Sequence, residues 1–287
     1  MTSRWAAVVV SQGTRPVELA RAVASLEAQT GVDLEVVVVG NGWEPTGLPG
    51  TVRTVHSAEN VGAPGGRNLG LGVVDAPYVF FLDDDAHLPH ADTLARVQAL
   101  FEADPGLGVV QTRIRTPEGD TLARWVPRMR DKDAERGSAA FYVLEGSVAA
   151  RRTVLERTGN WAGRFFYAHE GIELAWRTWD AGFRVEYHPE LEAVHPRMHP
   201  SRHADHLWLD ARNRVWLARR NLPAPVAVLY LADRALMSLG RNARHPAAAA
   251  AWARGFRAGL TSDAGRRRPM SWRTVWAMTR HGRPPLV

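Results

Sequence analysis

The stretch Tyr78-Val79-Phe80-Phe81-Leu82-Asp83-Asp84-Asp85 decides how this chain is read. Five apolar residues, most of them aromatic or β-branched, predict a strand buried on both faces, and such a strand belongs inside an α/β sheet. Three carboxylates follow at once. A buried strand delivers its last residues to the carboxyl edge of the sheet, where open α/β folds bind ligands. Adjacent aspartates repel one another unless a divalent cation or a set of donors compensates them. Alternate residues of an extended segment point the same way, so Asp83 and Asp85 are expected to share one ion or ligand while Asp84 faces elsewhere. A solvated acidic turn is the plainer alternative, and it leaves the apolar strand and the abrupt switch to charge unexplained.

Upstream, residues 5–10 and 34–39 read as buried strands around a helix over 16–29 that starts at Pro16 and turns Leu19, Val23 and Leu26 inward. Strand, helix and strand in such close succession form a βαβ unit, with parallel strands and a right-handed crossover. A shorter strand over 51–56 follows. The Gly-rich turn Asn60-Val-Gly-Ala-Pro-Gly-Gly-Arg-Asn68 then opens a short helix before the aspartate strand. Downstream, a helix over 91–103, strands over 109–114 and 141–144 and a short helix over 151–157 continue the pattern. The polar segment 116–137 between those strands reads as an exposed loop near the site. A nucleotide-binding type of α/β half-domain is the leading architecture.

A chain of 287 residues with 45% hydrophobic and 23% charged residues can bury a substantial core, and disorder is excluded as a general description. With no cysteine, disulfide scaffolds, thiolate metal sites and thiol redox chemistry are out, and a reducing cytoplasm suits the chain. The net charge of +6 comes almost wholly from arginine, since Lys132 is the only lysine. That balance suits phosphate-bearing ligands, anionic membrane surfaces or nucleic acid without choosing among them. No signal peptide or transmembrane span is expected.

The second informative stretch is Trp161-Ala-Gly-Arg-Phe-Phe-Tyr-Ala-His-Glu170-Gly-Ile-Glu173. Aromatic residues lead into a loop carrying His169 and Glu170, and a helix over 171–181 follows. Glu170 would stand at a helix N-terminus, where the macrodipole favours an ionised carboxylate and hence a general base. Simple capping of that helix is the competing reading. His199, His203 and His206 could be taken as a zinc cluster, but the helix-borne His-Glu-x-x-His pattern is missing and a surface run is commoner. Helices over 205–220, 222–239 and 247–260 follow. The 222–239 segment suits either packing on the main domain or lying in a membrane interface. Residues 266–287 read as a basic, partly disordered tail.

With these residues in view, the first two hundred positions resemble family 2 glycosyltransferases of the GT-A fold. The segments that carry the resemblance are the first strand into Ser11-Gln-Gly-Thr-Arg15, the second into Gly40-Asn-Gly42, Asn60-Val-Gly62 through Gly70, and Phe81 to Asp85. Glu170 to Arg177 is similar to the acidic motif before the acceptor-side helix, and Arg212-Asn-Arg214 resembles the segment that follows the domain. The resemblance implies a GT-A sheet flanked by helices over 1–220 and a helical extension with a basic tail over 221–287. It implies an inverting hexosyl- or deoxyhexosyltransferase that uses a nucleotide-sugar donor, Mg²⁺ or Mn²⁺, and a glycan, lipid-linked or small-molecule acceptor. The expected location is the cytoplasm, and the arginine-flanked apolar residues from about Leu222 onward make the inner face of the membrane a candidate contact.

On this resemblance, donor binding would fall to Ser11, Asn41, Arg67, Asp83 and Asp84, the metal to Asp83, Asp85 and His195, and catalysis to Glu170 or Glu173. Two residues depart from the pattern. Gly40 stands where an aspartate usually contacts the base, and Gly171 where many members carry the catalytic acid. A catalytically inactive binding module is therefore one alternative. A sugar-phosphate nucleotidyltransferase is another, although Ser11–Arg15 is a poor version of its basic loop. Nucleic-acid binding has only the tail in its favour.

Overall fold

The structure is a computed structural model that describes residues 3–127, 133–197, 205–242, 244–282 and 284–285. The aspartate strand, β4 (Tyr78–Asp83), lies near the middle of an eight-stranded sheet. Its companions are β1 (Arg4–Ser11), β2 (Asp33–Asn41), β3 (Arg53–Ser57), β5 (Leu107–Arg115), β6 (Ser138–Ala139), β7 (Ser147–Arg151) and β8 (Arg184–Val194). The order is β3-β2-β1-β4-β7-β5-β8-β6. The first four strands are mutually parallel; β7 runs antiparallel between β4 and β5, and β8 is parallel to β5.

The continuous apolar runs have a direct cause. On β4, Phe80 and Leu82 enter one core and Val79 and Phe81 the other, so no side chain of the strand's middle reaches water. Full burial of a Phe is worth roughly 1.5–3 kcal/mol, and β4 buries two, which pins the strand and so places the residues that follow it. The first core is covered by α1 (Pro16–Glu27) and α3 (Thr93–Ala103). The second is covered by α2 (Gly62–Leu71), α4 (Arg152–Thr158) and α5 (Glu170–Asp180).

Four further helices complete the described chain: α6 (His206–Asn221), α7 (Ala224–Asn242), α8 (Pro246–Thr261) and α9 (Trp272–Arg280). They build a third core in which Trp216, Tyr230 and Met278 pack with Phe141, Phe165 and Trp176, so the helices after residue 221 share a core with the sheet domain.

One expectation needs correcting. Residues 141–144 form no strand. Leu144 N donates to the Gln111 side chain, Val143 N to Gly171 O, and Phe141 stacks on Trp179, so this segment serves the third core and α5 instead of the sheet. The basic tail carries the helix α9. Ser271 caps α9 by accepting from Thr274 N, and Met270 and Met278 are buried in the third core. The segment over 116–137 is irregular where described, apart from a short 3₁₀ helix at Ala123–Trp125. His199 and His203 lie outside the described residues.

Candidate active site

Strands β1, β2 and β4 end at one edge, and a cleft opens there, lined by Ser11, Asn41, Arg67, Asp83, Asp84, Glu145 and Glu170 among others. Asp83 ends β4, whereas Asp84 and Asp85 lie in the turn that follows. Asp84 does not point idly away. It is 3% exposed, accepts from Ser11 Oγ at 2.6 Å and meets Arg15 Nη2 at 2.5 Å. Arg15 also bonds Asp85. Asn41 donates to Asn60 Oδ1 at 2.9 Å and accepts from Val61 N at 2.8 Å, which shapes the turn into α2.

His195 arrives because Val194 and His87 exchange backbone hydrogen bonds and His195 N donates to Arg115 O at 2.8 Å, drawing the end of β8 across to the turn after β4. Its Nε2 lies 3.1 Å from Asp85 Oδ1 and 3.7 Å from Asp83 Oδ2. Among the described residues, Asp83, Asp85 and His195 are the group whose ligand atoms all fall within 4.8 Å of one another. His195 Nδ1 is 2.7 Å from the Pro196 carbonyl, which can only accept, so Nδ1 carries a proton and Nε2 is left facing two carboxylates. Only a cation between them reconciles the three, whether a proton on Nε2 or a metal. Two oxygens and one imidazole nitrogen are a donor set that fits Mn²⁺ or Mg²⁺. Burial pushes the Asp83 carboxyl up, but its neighbours His195 and Arg67 outweigh it and hold it well below its ordinary range.

Arg67 is the hinge of the site. Gly66 and Gly70 let α2 lie close on the sheet, since a Cβ would stand 2.6 Å from Val10 Cγ1 at the first and 2.4 Å from Val8 Cγ1 at the second, and Arg67 is 4% exposed, its guanidinium 5.0 Å over the Trp161 ring. One nitrogen, Nη2, donates to Asp83 Oδ1 at 3.0 Å; the other, Nη1, is 3.6 Å from Glu170 Oε1. Across the cleft, Glu170 is the first residue of α5 and 3% exposed. Its Oε2 is buried without a hydrogen-bond partner. The expected macrodipole effect is overridden here: burial, then the charge of Glu145, pushes the Glu170 carboxyl up to about 8. Glu145 is likewise raised, chiefly by burial.

Glu145 is the site residue that the sequence did not single out. It lies in the irregular segment before β7, and Gly171 N donates to its Oε1 at 2.7 Å. A Cβ at Gly171 would stand 2.3 Å from that oxygen, so the glycine is what admits the Glu145 carboxylate. Gly40 is equally constrained, since a Cβ there would fall 2.0 Å from Trp43 O; no aspartate fits without moving that turn. Glu173 faces away from the cleft. It is 1% exposed and bonded to Arg177, Arg220 and Asn221. Phe166 and Tyr167 line the cleft, while Phe165 is buried against Trp216.

Fold and cleft together define a class. Residues 8–171 match the family described as glycosyl transferase family 2, and the chain belongs to that family. Its fold is GT-A, an eight-stranded α/β sheet flanked by helices, and its structural neighbours are GT-A glycosyltransferases. Among curated relatives, it is 26% identical over 232 residues to a pre-mycofactocin glycosyltransferase of Mycobacterium tuberculosis, over 74% of this chain and 45% of that one. The chain thus spans about half the length of the curated relatives it matches. Among solved structures, the mannosyltransferase PcManGT from Pyrobaculum calidifontis, in complex with GDP-Man and Mn²⁺, is 20% identical with a TM-score of 0.59, over 98% of this chain and 80% of that one. TarS of S. aureus is 16% identical with a TM-score of 0.54, over 74% of this chain and 40% of that one. No helix among the described residues is long and apolar enough to cross a membrane.

Proposed function

We propose that this chain is an inverting glycosyltransferase that moves a sugar from a nucleoside-diphosphate donor to an acceptor hydroxyl. The observation that carries the reading is the buried Glu170 carboxylate, whose Oε2 has no hydrogen-bond partner, lining the same cleft as Asp83 and Arg67. Glu170 takes the acceptor's hydroxyl proton while that oxygen bonds to the anomeric carbon. The bond from that carbon to the diphosphate oxygen breaks, and its electron pair leaves with the nucleoside diphosphate. Attack from the opposite face inverts the configuration.

Asp83, Asp85 and His195 would hold a divalent cation, which when bound neutralises charge on the leaving diphosphate. Ser11, Asn41, Arg67 and Asp84 would shape the donor's seat, in part through each other. Structural neighbours bound to GDP-Man with Mn²⁺ or to UDP support a donor of this class. Glu173, tied into buried ion pairs, serves as an anchor in this reading. Residues 1–220 act as the catalytic unit and 221–287 as an extension that braces it.

Thermal-shift measurement with UDP or GDP should show stabilisation that requires Mn²⁺. Metal-independent binding would sink the metal assignment. Metal-dependent binding without turnover of any sugar nucleotide would favour an inactive binding module. Glu170→Gln should lower turnover by about 10²-fold or more with donor binding unchanged.

Exposed Val228, Leu229 and Leu236 on α7, exposed Trp272 and Trp276 on α9, and the surrounding arginines support contact with an anionic membrane surface, at the cytoplasmic face. That contact would bring a lipid-linked acceptor near the cleft. Sedimentation with phosphatidylserine vesicles should show binding at low salt that weakens at high salt, and no binding at low salt rules the contact out.

A further inference from the structure

Glu170 stands at the end of a backbone segment that local preference alone would not hold. Of the four non-glycine residues with positive φ among those described, three are Phe166 at 67°, Ala168 at 68° and His169 at 71°. Phe166 combines its φ with a ψ of −47°, and Tyr167 N donates to Phe165 O at 2.7 Å across it. That is the rare, strained form of the γ-turn. Such conformations persist only where the surroundings over-determine them.

The surroundings here come from α6, beyond the region that matches the family. Asn213 is fully buried and directs Nδ2 at three carbonyl oxygens, those of Phe165 at 2.9 Å, Tyr167 at 2.7 Å and Ala168 at 3.1 Å. Two N–H groups serve three acceptors, so one hydrogen bond is shared. Arg212, stacked between the rings of Trp208 and Trp216, donates Nη2 to Phe165 O at 2.9 Å. Asp210, almost one turn earlier, meets His169 Nε2 at 3.0 Å and is itself held by Arg214 Nε. From the opposite side, Ala63 N of α2 donates to Phe166 O at 3.0 Å. An aliphatic residue at 213 would leave buried carbonyls without a donor, and a carboxylate would repel them.

We propose that Asn213 and Asp210 are positioning residues that preset Glu170 in the cleft through the strained loop 165–169. This makes α6 part of the working site and gives the Arg212-Asn-Arg214 segment a function. The inference rests on Glu170 being the base. A preset base matters because reacting atoms displaced by about 1 Å can cost about 100-fold in rate.

Hydrogen exchange read by mass spectrometry on the full chain tests the clamp directly. In Asn213→Ala, amides over 165–171 should exchange about 10-fold faster or more, while those of β1, β2 and β4 keep the parental rate. Affinity for UDP or GDP with Mn²⁺ should stay within about twofold, since Ser11, Asn41, Arg67 and Asp84 lie on other elements, while kcat for the sugar nucleotide the parent consumes falls about 10- to 100-fold. Asp210→Asn keeps the side chain's size, and it should show the same pattern at smaller amplitude through His169. It also stands in should Asn213→Ala fail to fold.

Faster exchange throughout the molecule, or parental exchange in the loop, overturns the inference. Glu170→Gln, measured in parallel, separates the two readings. If it is inactive while Asn213→Ala turns over like the parent, the positioning role alone falls. If Glu170→Gln itself keeps parental turnover, the base assignment falls and the positioning role with it.

Discussion

Two sets of carboxylates gather around one cleft, and the protein treats them in opposite ways. Asp83, Asp84 and Asp85 are surrounded by Ser11, Arg15, Arg67 and His195, and the Asp83 carboxyl is held well below its ordinary range. Glu145 and Glu170 share the far side with a single arginine nitrogen at 3.6 Å, and Glu170 is pushed up to about 8. The side chains are alike; the supply of counter-charge differs. Ionised carboxylates on the first wall suit a metal and the phosphates it accompanies, while a carboxyl titrating near neutrality on the second suits proton transfer.

The largest expected effect breaks the first wall. Asp85→Ala should lower Mn²⁺-dependent affinity for UDP or GDP by at least about 100-fold in a titration by calorimetry, because a direct ligand should matter at least as much as the groups that orient one. Parental affinity in a folded variant would show that the metal, if any, is held elsewhere.

Glu173→Gln should act on stability and leave the chemistry alone. Removing one partner from a buried ion pair typically costs about 3–5 kcal/mol, so the melting temperature should fall sharply while the folded fraction turns over at the parental rate. A catalytic loss without a stability loss would return Glu173 to the list of candidate bases.

Glu145→Gln sharpens the contrast at the second wall. The amide oxygen can still accept from Gly171 N, but the charge that helps raise Glu170 is gone. The ascending limb of the pH–rate profile should therefore move to lower pH, with turnover at pH 7 changing by less than about tenfold. A limb that stays in place would show that burial alone sets Glu170. Asp84→Asn should have the smallest effect, because Ser11 and Arg15 can still bond an amide oxygen, and nucleoside diphosphate affinity checks it.

The two walls also predict opposite slopes of stability with pH. Between about 4.5 and 8 the folded chain holds a proton on Glu170 that the unfolded chain has lost, so this residue's contribution falls as pH rises through that window. Asp83 contributes stability at neutral pH that disappears only in acid, below the ordinary carboxylate range. In thermal unfolding from pH 5 to 8, Glu170→Gln should lose less stability than the parent.

The first wall was largely legible in the sequence, because a buried strand announces itself as a continuous apolar run and places the residues at its end. Even there the convergence of Asp83 and Asp85 comes from a turn, not from strand alternation. The second wall was legible only in part. Glu170 stood out beside its aromatic run, but its burial depends on elements far along the chain. Glu145 carries no local signal, and the clue was indirect: a glycine at 171 leaves room for a side chain from elsewhere. β8 was obscured because Pro189 interrupts its alternation and the register shifts beside β5. The helical extension hid its last member, since α9 is short and arginine-rich and shows its buried face only at Thr274 and Met278.

The pH dependence of kcat for the parent and for Glu170→Gln, at saturating sugar nucleotide and Mn²⁺, tests the central claim most directly. The parent should show a rate that rises with pH to a plateau, with a midpoint above the ordinary carboxylate range, since the base is raised by burial and works only when ionised. Glu170→Gln should lose that limb along with about 10²-fold or more of the plateau rate. A variant that keeps both the limb and the rate would contradict the account and place the base elsewhere in the cleft.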